Sequence, residues 1–195
     1  ASCLVGSEMC IRDRPDAEGA FGVLRNGVAA GTVRWNLTGE HNRMNALAAL
    51  AAAEHVGVPA EQGIDALTRF AGVKRRMELR GTVNGVKVYD DFAHHPTAIA
   101  TTLEGLRRQV GSARILAVLE PRSNTMKLGT MAARLPEALA DADLVFCFGA
   151  HSGKHAPGWN PADVLAPLGD RASSYDDIGA LVAAVTAAAR PGDQV

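Results

Sequence analysis

The chain has 195 residues, of which 47% are hydrophobic and 21% charged, and its formal net charge is −1. That balance belongs to a globular chain and leaves no basic footprint for nucleic acid or an anionic membrane surface. No apolar run reaches the ~18–20 residues of a membrane-spanning helix, and the three cysteines form no CxxC or Cys/His zinc spacing, so a reducing cytoplasm is the expected compartment.

In chain order, residues 1–14 (ASCLVGSEMCIRDR) carry no clear period and resemble a translated sequencing-adapter segment. Glu8 and Arg12 interrupt any signal-peptide core, so the stretch is set aside as non-native. AFGVLRNGVAAGTVRW (20–35) predicts a hairpin turning at Asn26-Gly27. GEHNRMNALAALAAAEHVG (39–57) predicts a helix with Met44, Leu47, Ala48 and Ala51 on one face, stopped at Gly57. PAEQGIDALTRFAG (59–72) predicts a second helix with Pro59 in its first turn. KRRMELRG (74–81) is basic and aperiodic and reads as a linker, dividing an N-terminal region (15–73) from a C-terminal domain (82–195).

Beyond the linker, strands alternate with helices. Strands are expected at 86–91, 113–120, 144–149 and 172–175, and helices at 97–110, 130–142 with a break at Pro136, 161–168 and 176–190. PGDQV (191–195) begins like another strand. Apolar strands alternating with helices predict an α/β, Rossmann-like fold with a mostly parallel sheet.

Five stretches carry candidate chemistry. DDFAHHP (90–96) lies between a strand and a helix opened by Pro96, where open α/β sheets bind ligands and a helix start offers free N–H groups. Asp90, Asp91, His94 and His95 read there equally as ligand groups, as a metal site or as a capped turn. In GEHNRMN (39–45), Asn42 and Asn45 share a helix face, as do His41 and Asn45. An asparagine amide can pair with adenine, and a polar helix start is the alternative. RRME (75–78) offers arginine forks to phosphate or carboxylate, or is a solvated linker. EPRSNTMK (120–127) follows a strand, with Arg122 suited to a carboxylate and Ser123, Asn124 and Thr125 to neutral partners, or is a plain polar loop. HSGKH (151–155) has two histidines but too few ligands for a useful metal site. Cys147 reads as core.

Together and in this order, GEHNRMNALAA, FAGVKRRMEL, VYDDFAHHPTAI and LAVLEPRSNTMKLG resemble the Mur ligase family of peptidoglycan enzymes. The resemblance covers about residues 20–195, and the last motif is most similar to the subgroup that rejoins a recycled murein tripeptide to UDP-N-acetylmuramate. It implies the end of a central ATP-binding domain followed by a Rossmann-like C-terminal ligase domain. It also implies ATP and Mg2+, an acyl phosphate formed on the sugar's carboxylate, and attack by the peptide amine.

Carried over by motif, His41, Asn42 and Asn45 would meet the nucleotide. Arg76 would reach its phosphates. Asp91 would meet the ribose or fix the domain arrangement, with Asp90 second in line. His94 would line the site of the transferring phosphate. Catalytic roles thus fall to Arg76, Asp91 and His94, substrate-binding roles to Arg122, Ser123 and Asn124, and no metal ligand is assigned.

The family's Gly-rich P-loop ending in GKT or GKS does not occur in these 195 residues. The chain is therefore expected to be a fragment, truncated at its end. Alternatives are the relative that adds L-alanine to UDP-N-acetylmuramate, whose corresponding loop looks more like QPHRYTR; a non-catalytic nucleotide- or partner-binding domain; and a metal protein built on Asp90, Asp91, His94 and His95. By itself the chain is expected to release no phosphate from ATP in the presence of UDP-N-acetylmuramate and tripeptide, which a phosphate-release assay measures directly.

Overall fold

The computed structural model describes residues 2–3, 9–11, 20–35, 37, 39–149 and 156–195. The chain divides into two compact units, Ala1–Val73 and Lys74–Val195. HSGKH (151–155) lies outside the described residues.

The first unit is built on a hairpin of β3 (Ala20–Arg25) and β4 (Val28–Arg34). Asn26 and Gly27 turn it with φ of 51° and 78°, the left-handed pair that matches the twist of the flanking strands. Two short strands, β1 (Ser2–Cys3) and β2 (Met9–Ile11), extend the sheet on the β3 side, so part of the segment set aside from the sequence takes up pairing. Two helices follow, α1 (Glu40–His55) and α2 (Ala60–Thr68). Phe21, Val23, Val33 and Trp35 form a core with Ala46, Leu47 and Leu50 of α1 and Ala60 and Ile64 of α2. The buried stripe of α1 therefore runs through 46, 47 and 50. Ala48, expected on that face, points to solvent because it lies one residue past the 3.6-residue stripe. Helix α2 ends at Thr68, four residues earlier than expected.

The second unit opens with a hairpin of β5 (Glu78–Val83) and β6 (Val86–Asp90). Residues 78–81, read from sequence as linker, are thus part of a strand, and Asn84-Gly85 makes the same kind of turn as Asn26-Gly27, with φ of 50° and 78°. Then come α3 (Pro96–Val110), β7 (Leu116–Leu119), the single turn α4 (Asn124–Lys127), α5 (Leu135–Ala138), β8 (Leu144–Phe148), α6 (Pro161–Leu165), β9 (Ala172–Tyr175) and α7 (Ile178–Ala188). The helix expected over 130–142 is instead a 3-10 turn and the short α5, because Pro136 lacks the N–H that a continuous helix would need there. Asp177 caps α7, its Oδ1 accepting from Ala180 N at 2.7 Å.

Strands β7, β8 and β9 are parallel neighbours. Residues 193–195 fill the space between β6 and β7. Val195 N donates to Lys87 O and Tyr89 N to Val195 O (both 2.8 Å), while Leu116 N donates to Gln194 O (2.8 Å) and Gln194 N to Arg114 O (2.9 Å). The unit is thus α/β with a mostly parallel sheet, as the alternating pattern implies, and β5 is its antiparallel edge.

Strand alternation sends side chains to opposite faces. Ile115, Val145 and Cys147 pack under α3, α5 and α6 with Leu103, Leu135 and Leu165. Leu116 and Phe146 pack against Leu181 of α7 on the other face. Cys147 is fully buried, and burial pushes its thiol up to about 12, which keeps it protonated and unreactive.

The middle of the sheet is riveted by charge. Arg114 donates to both oxygens of Asp193 (Nε 3.0 Å, Nη2 2.6 Å) and to Ala188 O. The Arg114 hydrogen bonds, helped by Arg190 N–H, hold the Asp193 carboxyl below its ordinary 3.8. A carboxyl with a depressed folded-state pKa contributes stability that is complete above its unfolded pKa and is lost as pH falls through the folded one. Asp193→Asn should therefore lower the urea midpoint at pH 7 and flatten the loss of stability below about pH 4, as urea titrations from pH 7 down to pH 2.5 would show.

Candidate active site at the strand ends

Strand β6 ends at Asp90, and loop 91–95 carries the chain into α3. Its geometry is set by Asp91. Oδ2 accepts from Met77 N at 2.9 Å, and Oδ1 accepts from Ala93 N at 2.7 Å and from Thr102 Oγ1 at 3.4 Å. One carboxylate thus ties residues before β5, the loop and α3 together. Charged acceptors of backbone N–H groups are worth more than neutral ones.

The tie is needed because the approach to β5 is strained. Arg75 and Met77 both have positive φ, 60° and 49°, a region costly for residues with side chains. Arg75 is held three further ways: its N–H donates to Glu78 Oε2 (3.0 Å), its O accepts from Phe92 N (2.8 Å), and its Nε lies 3.3 Å from Asp90. The Arg75 N–H, aided by Arg80 and Lys74, holds the Glu78 carboxyl below its ordinary value. The Arg75–Asp90 pair is largely exposed and contributes little to stability.

Between the two strained residues, Arg76 makes no hydrogen bond or ion pair with the described residues. Its guanidinium carbon stands 5.9 Å from the centre of the Phe92 ring, with that of Arg75 at 5.4 Å. Phe92 is 48% exposed and meets the His94 ring edge-on at 4.9 Å. His94 Nδ1 is 2.9 Å from Phe92 O. A carbonyl only accepts, so Nδ1 carries a proton, and Nε2 makes no hydrogen bond with the described residues. His95 does different work: its Nδ1 accepts from Thr97 N at 3.3 Å and caps α3 ahead of Pro96.

The loop after β7 joins this group. Ser123 Oγ donates to His94 O at 3.2 Å and accepts from Met126 N at 3.3 Å, capping α4. Arg122 and Asn124, on either side, are exposed. The structure therefore brings Arg76, Asp90, Asp91, His94 and Ser123 into one connected cluster with Arg122 and Asn124 beside it. His41, Asn42 and Asn45 lie in the first unit, at the start of α1, whose Gly39 N-cap position supplies no side-chain cap.

The sequence offers both arginines of RRME but gives no sign that they stand over Phe92, because no spacing rule signals such stacking, whereas Asn84-Gly85 does signal the β5–β6 hairpin. Among the described residues no three His, Cys, Asp or Glu side chains gather as a metal site, so Asp90, Asp91, His94 and His95 do not form the metal centre weighed from sequence. Also among the described residues, no helix is long and apolar enough to cross a membrane.

The Mur ligase glutamate ligase domain family matches residues 75–195. The chain is 49% identical over 174 residues to the UDP-N-acetylmuramate–L-alanyl-γ-D-glutamyl-meso-2,6-diaminoheptandioate ligase of Escherichia coli K12, covering 89% of this chain and 37% of that protein. Its identity to the ligase of the same name from Haemophilus influenzae is 44% over 176 residues, covering 90% of this chain and 38% of that protein. A crystal structure of a murein peptide ligase from Psychrobacter arcticus superposes with a TM-score of 0.69 at 34% identity, over 97% of this chain and 40% of that one. The chain thus spans less than two fifths of the length of these curated relatives.

Asp91→Ala should destabilise the second unit by about 1–3 kcal/mol, the cost of orphaning N–H groups, with Asp91→Asn intermediate because one amide oxygen remains. His95→Ala should cost about 1 kcal/mol, an ordinary cap loss. Urea unfolding of the three variants checks the order; an Asp91→Ala variant as stable as the parent would refute the fastening role.

Proposed function

Because the chain belongs to the Mur ligase family, we propose that it is part of an ATP-dependent cytoplasmic ligase. That enzyme joins UDP-N-acetylmuramate to the tripeptide L-alanyl-γ-D-glutamyl-meso-diaminopimelate. The observation that carries the reading is the hydrogen bond from Ser123 Oγ to His94 O. It ties the loop offered to the incoming peptide to the loop offered to the phosphate.

In the reaction, a carboxylate oxygen of the sugar's lactyl group attacks the γ-phosphorus of ATP and ADP leaves. The peptide amine then attacks the acyl carbon, and the tetrahedral intermediate collapses with loss of inorganic phosphate. The roles below are those the family resemblance implies, with the chemistry that each side chain can supply. Arg76, which pairs with no carboxylate among the described residues, meets the phosphates as their negative charge shifts. His94, protonated on both nitrogens, keeps Nδ1–H on Phe92 O and donates Nε2–H to a phosphate oxygen. Asp91 holds residues 75–77 so that Arg76 faces Phe92, and its remaining lone pairs can accept from a ribose hydroxyl; Asp90 restrains Arg75. His41, Asn42 and Asn45 meet the nucleotide, the two amides reading adenine.

Arg122 takes a peptide carboxylate, and Ser123 and Asn124 neutral groups. Mg2+, implied by the family resemblance, would shield phosphate charge. The described residues offer no three-ligand site for it.

The reading favours tripeptide over L-alanine because the loop after β7 reads EPRSNTMK and because the tripeptide-adding relatives reach 49% and 44% identity. Replacing the matching stretch of the E. coli relative with residues 20–195 gives a chimera in which phosphate release should require UDP-N-acetylmuramate and tripeptide. L-alanine should not substitute. Arg122→Ala should raise the tripeptide KM by about 2 kcal/mol equivalent, the loss of a charged hydrogen bond, leaving the ATP KM unchanged. A chimera that prefers L-alanine would favour the alanine-adding alternative.

A further inference from the structure

Arg122, Ser123 and Asn124 sit on a loop with little secondary structure of its own, since α4 is a single turn. A loop that must meet a peptide within a few tenths of an ångström needs support from outside, and the support is visible. Trp159 Nε1 donates to Met126 O at 2.6 Å. Its ring lies so close to Gly129 that a Cβ there would come within 3.0 Å of Trp159 Cδ1. Next to it, Gly158 N donates to Lys127 O at 2.7 Å, and a Cβ on Gly158 would come within 2.9 Å of that oxygen. Gly129 also has φ of 74°. Two glycines at facing positions are thus required for the same close approach.

Trp159 is itself fixed. It packs on the core under α5 and α6, and the next residue, Asn160, caps α6 by accepting from Ala162 N at 3.0 Å, followed by buried Pro161. On the other side of the loop, Met126 is 2% exposed and Ser123 is bonded to His94 O. The α4 turn is therefore clamped between the β6–α3 loop and the segment leading into α6.

We propose that Trp159 is a positioning residue for peptide recognition: through Met126 O and Gly129 it sets where Arg122, Ser123 and Asn124 stand. This rests on the ligase reading given above for that loop. Trp159 does not touch the substrate. It acts by restricting the loop before the peptide arrives, so that less ordering remains to be done on binding.

The first test is amide hydrogen exchange on the 195-residue chain. Trp159→Phe keeps an aromatic ring but removes the five-membered half of the indole, with its N–H donor and the Cδ1 that meets Gly129. Exchange at Lys127, Leu128 and Gly129 should speed up by about tenfold, what the loss of one buried hydrogen bond amounts to. Exchange at Leu181 in α7 should not change. Trp159→Ala should give a larger effect at the same amides. Unchanged exchange at 127–129 in both variants would overturn the proposal.

The second test uses the chimera. Trp159→Phe should raise the KM for tripeptide by about tenfold on the same basis while the KM for ATP stays put. An equal rise in both would point to general loosening and overturn the positioning role. If the unsubstituted chimera has no ligase activity, the parent reading fails, and the exchange experiment still decides whether Trp159 holds the loop.

Discussion

A single carboxylate holds together the parts of the second unit that chemistry would use. Asp91 accepts from Met77 N, Ala93 N and Thr102 Oγ1, so it joins the chain entering β5, the chain leaving β6 and the helix that follows. The two positive-φ residues at 75 and 77 persist because this bond and the contacts of Arg75 over-determine them. Without that restraint the backbone at 75–77 has better conformations available, and Arg76 loses its place over Phe92. The strained turn and the exposed guanidinium are two sides of one arrangement.

The sheet supplies the second constraint. Parallel strands put all their carboxyl ends on one edge, and β6 and β7 deliver their loops there. Loop 91–95 and loop 120–123 come from strands that are not neighbours, yet Ser123 bonds to His94 O. The spacing between them is that of the strand formed by residues 193–195, which pairs with β6 on one side and β7 on the other. Arg114 and Asp193 then lock that strand's level. The distance between the two site loops is therefore set by residues remote from both in sequence.

Much of this was legible in the chain itself, and what was not has a physical reason. Asn26-Gly27 specified its hairpin. The same signal at Asn84-Gly85 specifies the β5–β6 turn, but the basic, aperiodic run 74–81 masks the first four residues of β5. The apolar runs around 116–119 and 144–148 mark the parallel strands, although Val118 in the first of them is 45% exposed. Over 130–142 the break expected at Pro136 is present, but the pieces on either side are a 3-10 turn and one short helix. In the site, Arg76, Asp91, His94 and Ser123 were named by motif, and their roles remain proposals. The Phe92 stack, the Ser123–His94 bond and the Trp159 buttress join residues up to 33 positions apart, and local periodicity carries no information about such pairs.

The same central strand bears on how the unit comes into being. Strands β6 and β7 lie on either side of residues 193–195 and share no ladder of their own. The β5–β6 hairpin can form at once from local contacts, and β7, β8 and β9 can zip together in order. The two halves of the sheet cannot be joined until residues 193–195 have left the ribosome, more than a hundred residues after β6. Until then β6 and β7 each present an open, hydrogen-bonding edge, and edges of that kind recruit other chains. Strand order alone therefore makes the joining of the two ladders wait on residues 193–195.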